Sequence, residues 1–345
     1  MSGTSCDGLD IAHSLFWFEN NKWIYKLKKY KSVSYSKKLK SRLLKCSKLD
    51  ALSLKILDLD FGEYIKGEIK KFIKESNTRF DLISCHGHTV FHDAKNKINF
   101  QIGNPFIIYK SFQIPIVFNF RELDVIMGGQ GAPLVPYGDK HLFYDYDYCI
   151  NIGGILNISS LNTKRLSGYD ICPANIILNY FSRKLNMDFD LNGTISSSGN
   201  LDKNLFDKLN NLKYYNQKPP KSLDLRYIEN NYMNLFKDKD PKNILYTYIN
   251  HIAYQLNNNL IKRNSKVLLT GGGVFNKHLI EKIESFNKLD HNFTVPNKKI
   301  IIFKEAIVFG FLGLLRFLNK KNIDESVTGS EFSTSSGIII ENKIL

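Results

Sequence analysis

The chain has 345 residues, a formal net charge of +15 and a pI near 9.3, with 43% hydrophobic residues and a mean hydropathy of −0.25. This composition is typical of a globular chain that is long enough for two lobes, and it argues against a disordered chain. The longest apolar stretch, residues 306–318, is shorter than the roughly 20 residues that a bilayer requires. The lysines are spread along the chain, so we expect neither a nucleic-acid partner nor a membrane partner, with a basic RNA-associated protein as the weaker alternative.

Short apolar strands alternate with longer amphipathic helices along the chain, which predicts an α/β fold. The predicted strands cover residues 11–18, 23–35, 81–85, 114–118, 148–152, 158–161, 266–269 and 337–340. The predicted helices cover residues 36–49, 52–74, 107–112, 175–185, 201–212, 243–263, 277–286 and 304–318. The five scattered cysteines and the lack of a signal peptide indicate a reducing, cytoplasmic location rather than a disulfide framework.

The first ten residues, MSGTSCDGLD, combine small, hydroxyl and acidic side chains just before a predicted strand. Gly3 and Gly8 would let a ligand approach the backbone closely. Thr4 and Ser5 offer hydroxyl and N–H groups to phosphate oxygens, and Asp7 offers a carboxylate to a metal ion. The alternative interpretation is an ordinary polar turn.

Three histidines follow the predicted strand 81–85, at positions 86, 88 and 92. His86 and His88 would share one face of a strand, and His92 could join them at a zinc ion. No cysteine or carboxylate completes a known metal spacing, so a polar loop at the end of the strand is favoured over a metal site. The turn predicted at residues 100–105 follows this segment.

Three glycine-rich stretches mark further turns. Residues 127–134, MGGQGAPL, cannot form a helix interior, and with Arg121 and Asp124 beside them they suit a polar ligand or an interdomain hinge. Residues 151–157, NIGGILN, predict a strand–turn–strand hairpin that echoes the start of the chain. Residues 271–273 follow a strand and precede a helix, which fits either an adenosine site or a tight turn, because the common nucleotide-binding spacings are absent.

Nine motifs in this order resemble the anhydro-N-acetylmuramic acid kinase family, whose members belong to the superfamily of sugar kinases, actin and heat-shock ATPases. The motifs are MSGTSCDGLD, HGHTVFH, QIG, FRELDVIMGGQGAPLVP, NIGGILNIS, YDICPAN, TGGGVFN, KEA and SVTG. They span nearly the whole chain. The resemblance implies a two-lobed actin-like ATPase fold, each lobe holding a mixed sheet of ribonuclease-H type flanked by helices.

The resemblance also sets the expected organisation and ligands. It implies an N-terminal lobe of residues 1–135 plus about 320–345, with the phosphate loop and the sugar-binding loops. It implies a C-terminal lobe of residues 136–319, with the catalytic aspartate and the adenosine motif. ATP and Mg²⁺ are the implied cofactors, an amino sugar of peptidoglycan recycling is the implied small-molecule substrate, and a homodimer is implied by family likeness.

In the family reaction, ATP phosphorylates the 6-oxygen of 1,6-anhydro-N-acetylmuramic acid while water opens the anhydro bridge, which gives N-acetylmuramic acid 6-phosphate. By resemblance, Asp170 is the general base that activates the water, and we expect it at the end of a strand, ahead of a helix N-terminus. The implied nucleotide-binding residues are Gly3, Thr4, Ser5, Cys6, Asp7, Gly8, Leu9, Asp10, Asn151, Gly153, Gly154, Gly271, Gly272 and Gly273, with Asp7 as the metal ligand. The implied sugar-binding residues are Thr89, Gln101, Arg121, Asp124 and Glu305.

Several features depart from the family pattern, two of them in the first lobe. Family members carry a strand ahead of the MSGTS motif, and its absence would leave neighbouring strands with unpaired backbone groups. Asn119 stands where the family usually has an aspartate. The alternative to an active kinase is therefore a catalytically weakened homologue that binds nucleotide.

Overall fold

The structure is a computed structural model that describes residues 1–2, 6, 8–76 and 79–342. The described strands are β1 (Gly8–Glu19), β2 (Lys22–Ser34), β3 (Ile83–Cys85), β4 (His88–Asp93), β5 (Ile98–Ile102), β6 (Ile116–Phe118), β7 (Tyr148–Ile152), β8 (Ile155–Ser160), β9 (Ser167–Pro173), β10 (Lys266–Thr270), β11 (Asn292–Thr294) and β12 (Ile338–Ile340). The described α-helices are α1 (Lys37–Leu44), α2 (Ala51–Ser76), α3 (Pro105–Phe112), α4 (Glu122–Ile126), α5 (Val135–Leu142), α6 (Asn175–Lys184), α7 (Lys203–Asn210), α8 (Leu225–Asn231), α9 (Pro241–Asn258), α10 (Lys277–Ser285), α11 (Lys298–Phe317) and α12 (Glu325–Thr328).

The chain divides into two compact units, Met1–Leu142 with Phe303–Leu345, and Phe143–Ile302. The sequence predicts the lobe boundaries at residues 135/136 and 319/320 instead. The difference arises because α5 and most of α11 pack within the first unit, where the buried side chains of Lys304 and Asp139 join the two helices.

The second unit is built on a five-stranded sheet in the order β11–β10–β7–β8–β9. β10 runs parallel to β7 and β11, whereas β8 runs antiparallel to β7 and β9, so the sheet is mixed. Helix α9 packs on it through a long buried face that includes Leu245, Ile249 and Ile252. Asp240 begins this helix as its N-cap and accepts a hydrogen bond from the Asn243 N–H at 3.0 Å.

The first unit contains the mixed sheet β12–β6–β3 and two separate hairpins, β1–β2 and β4–β5. β6 is parallel to β3 and antiparallel to β12. Its helices α2 and α11 carry many apolar residues; in α11 Ile307, Phe311 and Leu312 are fully or almost fully buried. The α/β class and the mixed sheets predicted from the sequence are thus confirmed in both units.

Two regions differ from the sequence prediction. Residues 88–92 of the expected polar loop and residues 100–102 of the expected turn are strand residues of the antiparallel hairpin β4–β5, in which His88 lies opposite Ile102. The helix predicted over residues 36–49 ends at Leu44, because a short 3-10 helix, Cys46–Lys48, replaces its last turn. Among the described residues, every helix is too short or too polar to cross a membrane.

Candidate functional site

Asp170 lies within β9, opposite Asn157 of β8. The strand continues to Pro173, so the expectation that Asp170 ends a strand is wrong. The 3-10 helix Lys213–Asn216 and the segment after it hold the aspartate from outside the sheet. The Leu223 N–H donates to the carboxylate Oδ2 at 2.9 Å, and the Tyr214 hydroxyl donates to the Asp170 carbonyl oxygen at 2.6 Å.

Burial gives this carboxyl unusual acid–base properties. Burial raises the pKa of Asp170 to about 6, and the hydrogen bond from Leu223 opposes that rise. A carboxyl with this pKa is mostly ionised at pH 7, yet it binds a proton far more readily than an exposed aspartate. Such a group suits a general base at neutral pH.

The turn at Gly153 and Gly154 joins β7 to β8, as the sequence predicts, and it also closes the start of α6. The N–H groups of Ala174, Asn175 and Ile176 bond to the carbonyl oxygens of this turn at 2.8–3.2 Å. The amides expected to be free at this helix N-terminus are therefore already used, which limits their part in ligand binding.

The Gly271–Gly273 turn lies directly against the turn that follows β7. A Cβ atom added at Gly271, where φ is +84°, would lie 2.6 Å from Asn151 Oδ1, and one at Gly273 would lie 2.3 Å from Ile152 Cγ2. At Gly272 the nearest atom would be the Asn175 amide nitrogen at 3.9 Å. The structure thus brings together two expected nucleotide-binding turns. Gly271 and Gly273 let them pack closely, and only Gly272 leaves open space, so contact of this turn with adenosine stays a prediction.

In the first unit, the predicted sugar-side residues Arg121 and Glu305 lie within electrostatic range of each other. Burial lowers the pKa of Arg121 to about 10, and Glu305 and Asp124 oppose that fall. Burial raises the pKa of Glu305, while the charges of Lys304 and Arg121 lower it. The Arg121 Nε donates to His86 Nε2 at 3.0 Å and its Nη1 donates to the Gly131 carbonyl at 2.6 Å.

Asp124 is fully buried and both of its carboxylate oxygens have partners inside the protein. Oδ2 accepts from the Gly131 N–H at 2.7 Å, and Oδ1 accepts from the Thr328 hydroxyl at 2.6 Å. A Cβ atom at Gly129 would lie 2.3 Å from the same carboxylate. These contacts fix the glycine-rich loop beside Arg121, so Asp124 acts as a positioning residue. Direct contact between Asp124 and a sugar stays a prediction.

Thr89 and Gln101 lie opposite each other in the β4–β5 hairpin, and the Gln101 amide reaches the Thr89 hydroxyl at 3.5 Å. Both side chains are half-buried. The hairpin therefore presents them as one polar pair, and their contact with a sugar stays a prediction.

Part of the N-terminal motif lies outside the described residues: Gly3, Thr4, Ser5 and Asp7. Its other predicted members are Cys6, Gly8, Leu9 and Asp10, and in this part Asp10 accepts a hydrogen bond from the Ser32 hydroxyl. Cys6 contacts His88, with 3.8 Å between Sγ and Nε2.

The three histidines have separate partners. His86 pairs with Arg121, His88 lies between Ser2 and Cys6, and His92 Nδ1 lies 2.6 Å from the Asn99 amide. Burial and the nearby Arg121 charge hold the pKa of His86 well below its usual value, so it is neutral and its Nε2 accepts the Arg121 bond. Within the ranges that the structure describes, no group of three histidine, cysteine, aspartate or glutamate side chains could hold a metal ion.

Sequence reasoning did not find the residues that hold Asp170. Tyr214 and Leu223 are separated from it by about fifty residues, and the Lys221 ammonium lies over the Tyr214 ring, 4.6 Å from its centroid. The only sequence signal was the break KPPKS, which precedes Leu223 directly. The KEA motif also contains a structural residue that the sequence did not reveal. The buried Lys304 pairs with both carboxylate oxygens of Asp139 at 3.0 Å.

Comparison with known proteins identifies the family to which the chain is similar. The family model described as anhydro-N-acetylmuramic acid kinase matches residues 1–342. Curated proteins named anhydro-N-acetylmuramic acid kinase include one from Clostridioides difficile, 28% identical with 96% of this chain and 94% of the relative covered. Others are from Bacillus cereus, 28% identical with 98% and 97% covered, and Francisella tularensis subsp. novicida, 29% identical with 96% and 94% covered.

Among solved structures, the activator of 2-hydroxyisocaproyl-CoA dehydratase from Clostridium difficile with bound ADPNP is 13% identical. The matched region covers 55% of this chain and 69% of the activator chain, with a TM-score of 0.34. This likeness is too weak to carry an argument. The family match needs no such support. Because it extends over nearly all 345 residues, the chain belongs to the anhydro-N-acetylmuramic acid kinase family.

Proposed function

We propose that this protein transfers the terminal phosphoryl group of ATP to the 6-oxygen of 1,6-anhydro-N-acetylmuramic acid, while a water molecule opens the anhydro bridge. The water oxygen bonds to the anomeric carbon, the bond from that carbon to the 6-oxygen breaks, and the 6-oxygen takes the phosphoryl group. The products are ADP and N-acetylmuramic acid 6-phosphate. This role in peptidoglycan recycling also favours a cytoplasmic location.

The placement of Asp170 is the observation that carries the proposal. Its carboxylate accepts one backbone N–H bond, from Leu223, which leaves lone pairs to accept a proton from water. With the pKa of Asp170 at about 6, the ionised form dominates at pH 7. A positioned base of this kind contributes roughly 10²- to 10⁴-fold to the rate.

The turns at residues 151–154 and 271–273 fit a nucleotide, since they place glycine backbone side by side. ATP would supply the phosphoryl group there. Arg121 and Glu305 would bind and orient the sugar through charged hydrogen bonds, and Asp124 would hold the loop that positions Arg121. Mg²⁺ at Asp7 and a homodimer remain proposals from the family likeness.

The test is to incubate the protein with ATP, Mg²⁺ and anhydro-N-acetylmuramic acid and to identify the product by mass spectrometry. We expect N-acetylmuramic acid 6-phosphate and one ADP per sugar consumed. A folded protein that binds ATP but forms no sugar phosphate would contradict the proposal. That result would favour the weakened nucleotide-binding homologue, an alternative that the family match and the retained Asp170 do not support.

A further inference from the structure

One short segment of the second unit, residues 214–223, contacts Asp170 at three points. The Asp170 N–H donates to the Lys221 carbonyl at 3.3 Å, and the Tyr214 hydroxyl donates to the Asp170 carbonyl at 2.6 Å. The Leu223 N–H donates to the carboxylate at 2.9 Å. Because the segment binds both the backbone and the side chain of Asp170, its placement helps to determine where the carboxylate lies.

The backbone of this segment has little to hold it in place. It begins in a single 3-10 turn, Lys213–Asn216, and residues 216–220 are exposed. The hydrogen bonds of a 3-10 turn have poorer geometry than those of an α-helix. Tyr214 is buried and Tyr215 is half-buried, and their rings meet edge to face with centroids 5.8 Å apart. The two tyrosine side chains are therefore the main anchors of the turn.

The Tyr215 hydroxyl belongs to a polar network that joins four elements. It lies 2.8 Å from His251 Nε2 and 2.7 Å from the Tyr232 hydroxyl. His251 Nδ1 lies 2.8 Å from Asn210 Oδ1, and the Gln255 amide donates to the same oxygen at 2.8 Å. His251 and Gln255 lie on α9, Asn210 ends α7 and Tyr232 follows α8. His251 and Tyr232 are fully buried.

The direction of each hydrogen bond at His251 follows from its partners. The Asn210 amide nitrogen donates to the Phe206 carbonyl at 2.9 Å, so the atom that faces His251 is the oxygen, which can only accept. His251 Nδ1 must therefore carry the proton. Burial lowers the pKa of His251 to about 3, so the ring is neutral and its Nε2 accepts a bond from the Tyr215 hydroxyl. The Tyr232 hydroxyl then donates to Tyr215, which leaves one consistent arrangement.

We propose that Tyr215 and His251 are positioning residues for Asp170, which they hold through the neighbouring Tyr214. This inference rests on the proposed role of Asp170 as the general base. Consecutive Cα atoms lie about 3.8 Å apart, so a Tyr215 side chain locked onto α9 also fixes Tyr214, whose hydroxyl holds the Asp170 backbone. A base displaced by about 1 Å can lose about 100-fold in rate.

The first test compares Tyr215→Phe with the matched control Tyr254→Phe. Tyr254 also belongs to the second unit, and its half-buried ring packs against Phe206 and Phe286. Tyr215→Phe removes only the hydroxyl and with it both bonds of the network. We expect kcat to fall about tenfold, while KM for ATP and for the sugar changes less than about twofold, because only the base is displaced. The control should change neither constant.

A double-variant cycle separates positioning of the base from general damage to the fold. In the Asp170→Asn background, Tyr215→Phe should lower the residual rate by less than about twofold, because the carboxylate that it positions is already gone. A loss as large as that in the native background would overturn the proposal. An unchanged kcat in Tyr215→Phe alone would overturn it as well.

Amide exchange at Leu223 gives a second measurement that needs no turnover. Its N–H bonds to the Asp170 carboxylate, so we expect exchange there to be about tenfold faster in Tyr215→Phe and unchanged in Tyr254→Phe. A native chain that forms no sugar phosphate would contradict the proposed function, whereas the exchange pattern would still show whether the network anchors the segment on Asp170. Equal exchange at Leu223 in both variants would overturn the inference.

If Tyr215→Phe does not fold, His251→Leu takes its place. This variant removes the acceptor of the Tyr215 hydroxyl and keeps a buried side chain of similar size. We expect the same fall in kcat and the same faster exchange at Leu223. A folded His251→Leu protein that shows neither change contradicts the proposal.

Discussion

Asp170 owes its properties to its surroundings in the second unit. Burial raises its pKa, and the bonds from Leu223 and Tyr214 fix its carboxylate and carbonyl in place. The neighbouring Lys221 ammonium lies over the Tyr214 ring, so the charge is held beside the aspartate without a direct ion pair being described. The result is a carboxylate that stays ionised at neutral pH and still accepts a proton.

The pH dependence of turnover tests this assignment. The kcat/KM for the sugar should fall about tenfold per pH unit below about pH 6, because protonated Asp170 cannot accept a proton from water. Asp170→Asn should lower kcat by at least about 100-fold while ATP still binds, and Asp188→Asn, at an exposed position of the same unit, should change neither. A variant Asp170→Asn with unchanged turnover would place the base elsewhere.

The pH dependence of folding stability should also reflect the raised pKa of Asp170. The pKa of Asp170 is about 6 in the folded protein and about 3.9 in an unfolded chain, so the folded state binds its proton more tightly. The native aspartate therefore loses stability as pH rises from about 4 to 6. We expect the thermal midpoint of Asp170→Asn, relative to the native chain, to rise over that interval and then level off. A difference that does not change with pH would contradict the raised pKa.

Two substitutions in the glycine turn after β10 should affect folding and ligand binding separately. Gly271→Ala should destabilise the fold, because its positive φ and the contact with Asn151 leave no room for a methyl group. Gly272→Ala meets no atom closer than 3.9 Å, so the fold should keep its stability while ATP affinity falls. Calorimetric titration with ATP and thermal unfolding measure the two effects. Unchanged ATP affinity in Gly272→Ala would remove this turn from the nucleotide site.

At the scale of elements, the buried pair Lys304–Asp139 joins α11 to α5. Lys304→Met leaves the Asp139 carboxylate buried without its cation and should cost about 3–5 kcal/mol, as measured by urea unfolding. The double variant Lys304→Met with Asp139→Leu should recover most of that loss. Arg42→Met, which breaks an exposed pair with Asp60, should cost less than about 1 kcal/mol. A loss for Lys304→Met as small as that of Arg42→Met would contradict the structural role.

Elements with a strong apolar period could be predicted from the sequence, whereas those set by distant partners could not. Helices α2, α9 and α11 and strands β7 and β10 follow from their patterns. The β4–β5 hairpin was missed because its polar sequence resembles a loop and its strands are paired by backbone bonds. The hydrogen bonds that Tyr214 and Leu223 make to Asp170 could not be predicted either. The fold brings these residues to Asp170 from distant positions in the chain, and no local spacing marks them.

At the scale of the molecule, each unit carries its own part of the proposed chemistry. The first unit holds the polar side chains proposed for the sugar, and the second holds Asp170 and the glycine turns proposed for the nucleotide. The unit boundaries needed the structure, because only packing shows that α5 and residues 303–317 belong with the first unit.

The central claim is that one turnover moves the phosphoryl group directly to the sugar while water attacks the anomeric carbon. The most direct measurement is a reaction in water enriched in ¹⁸O, with mass analysis of the phosphate group of the product. We expect a sugar 6-phosphate whose phosphate oxygens carry no ¹⁸O, formed by the native chain and lost in Asp170→Asn. Release of ¹⁸O-labelled inorganic phosphate without any sugar phosphate would contradict it, since water would then attack the nucleotide instead of the sugar.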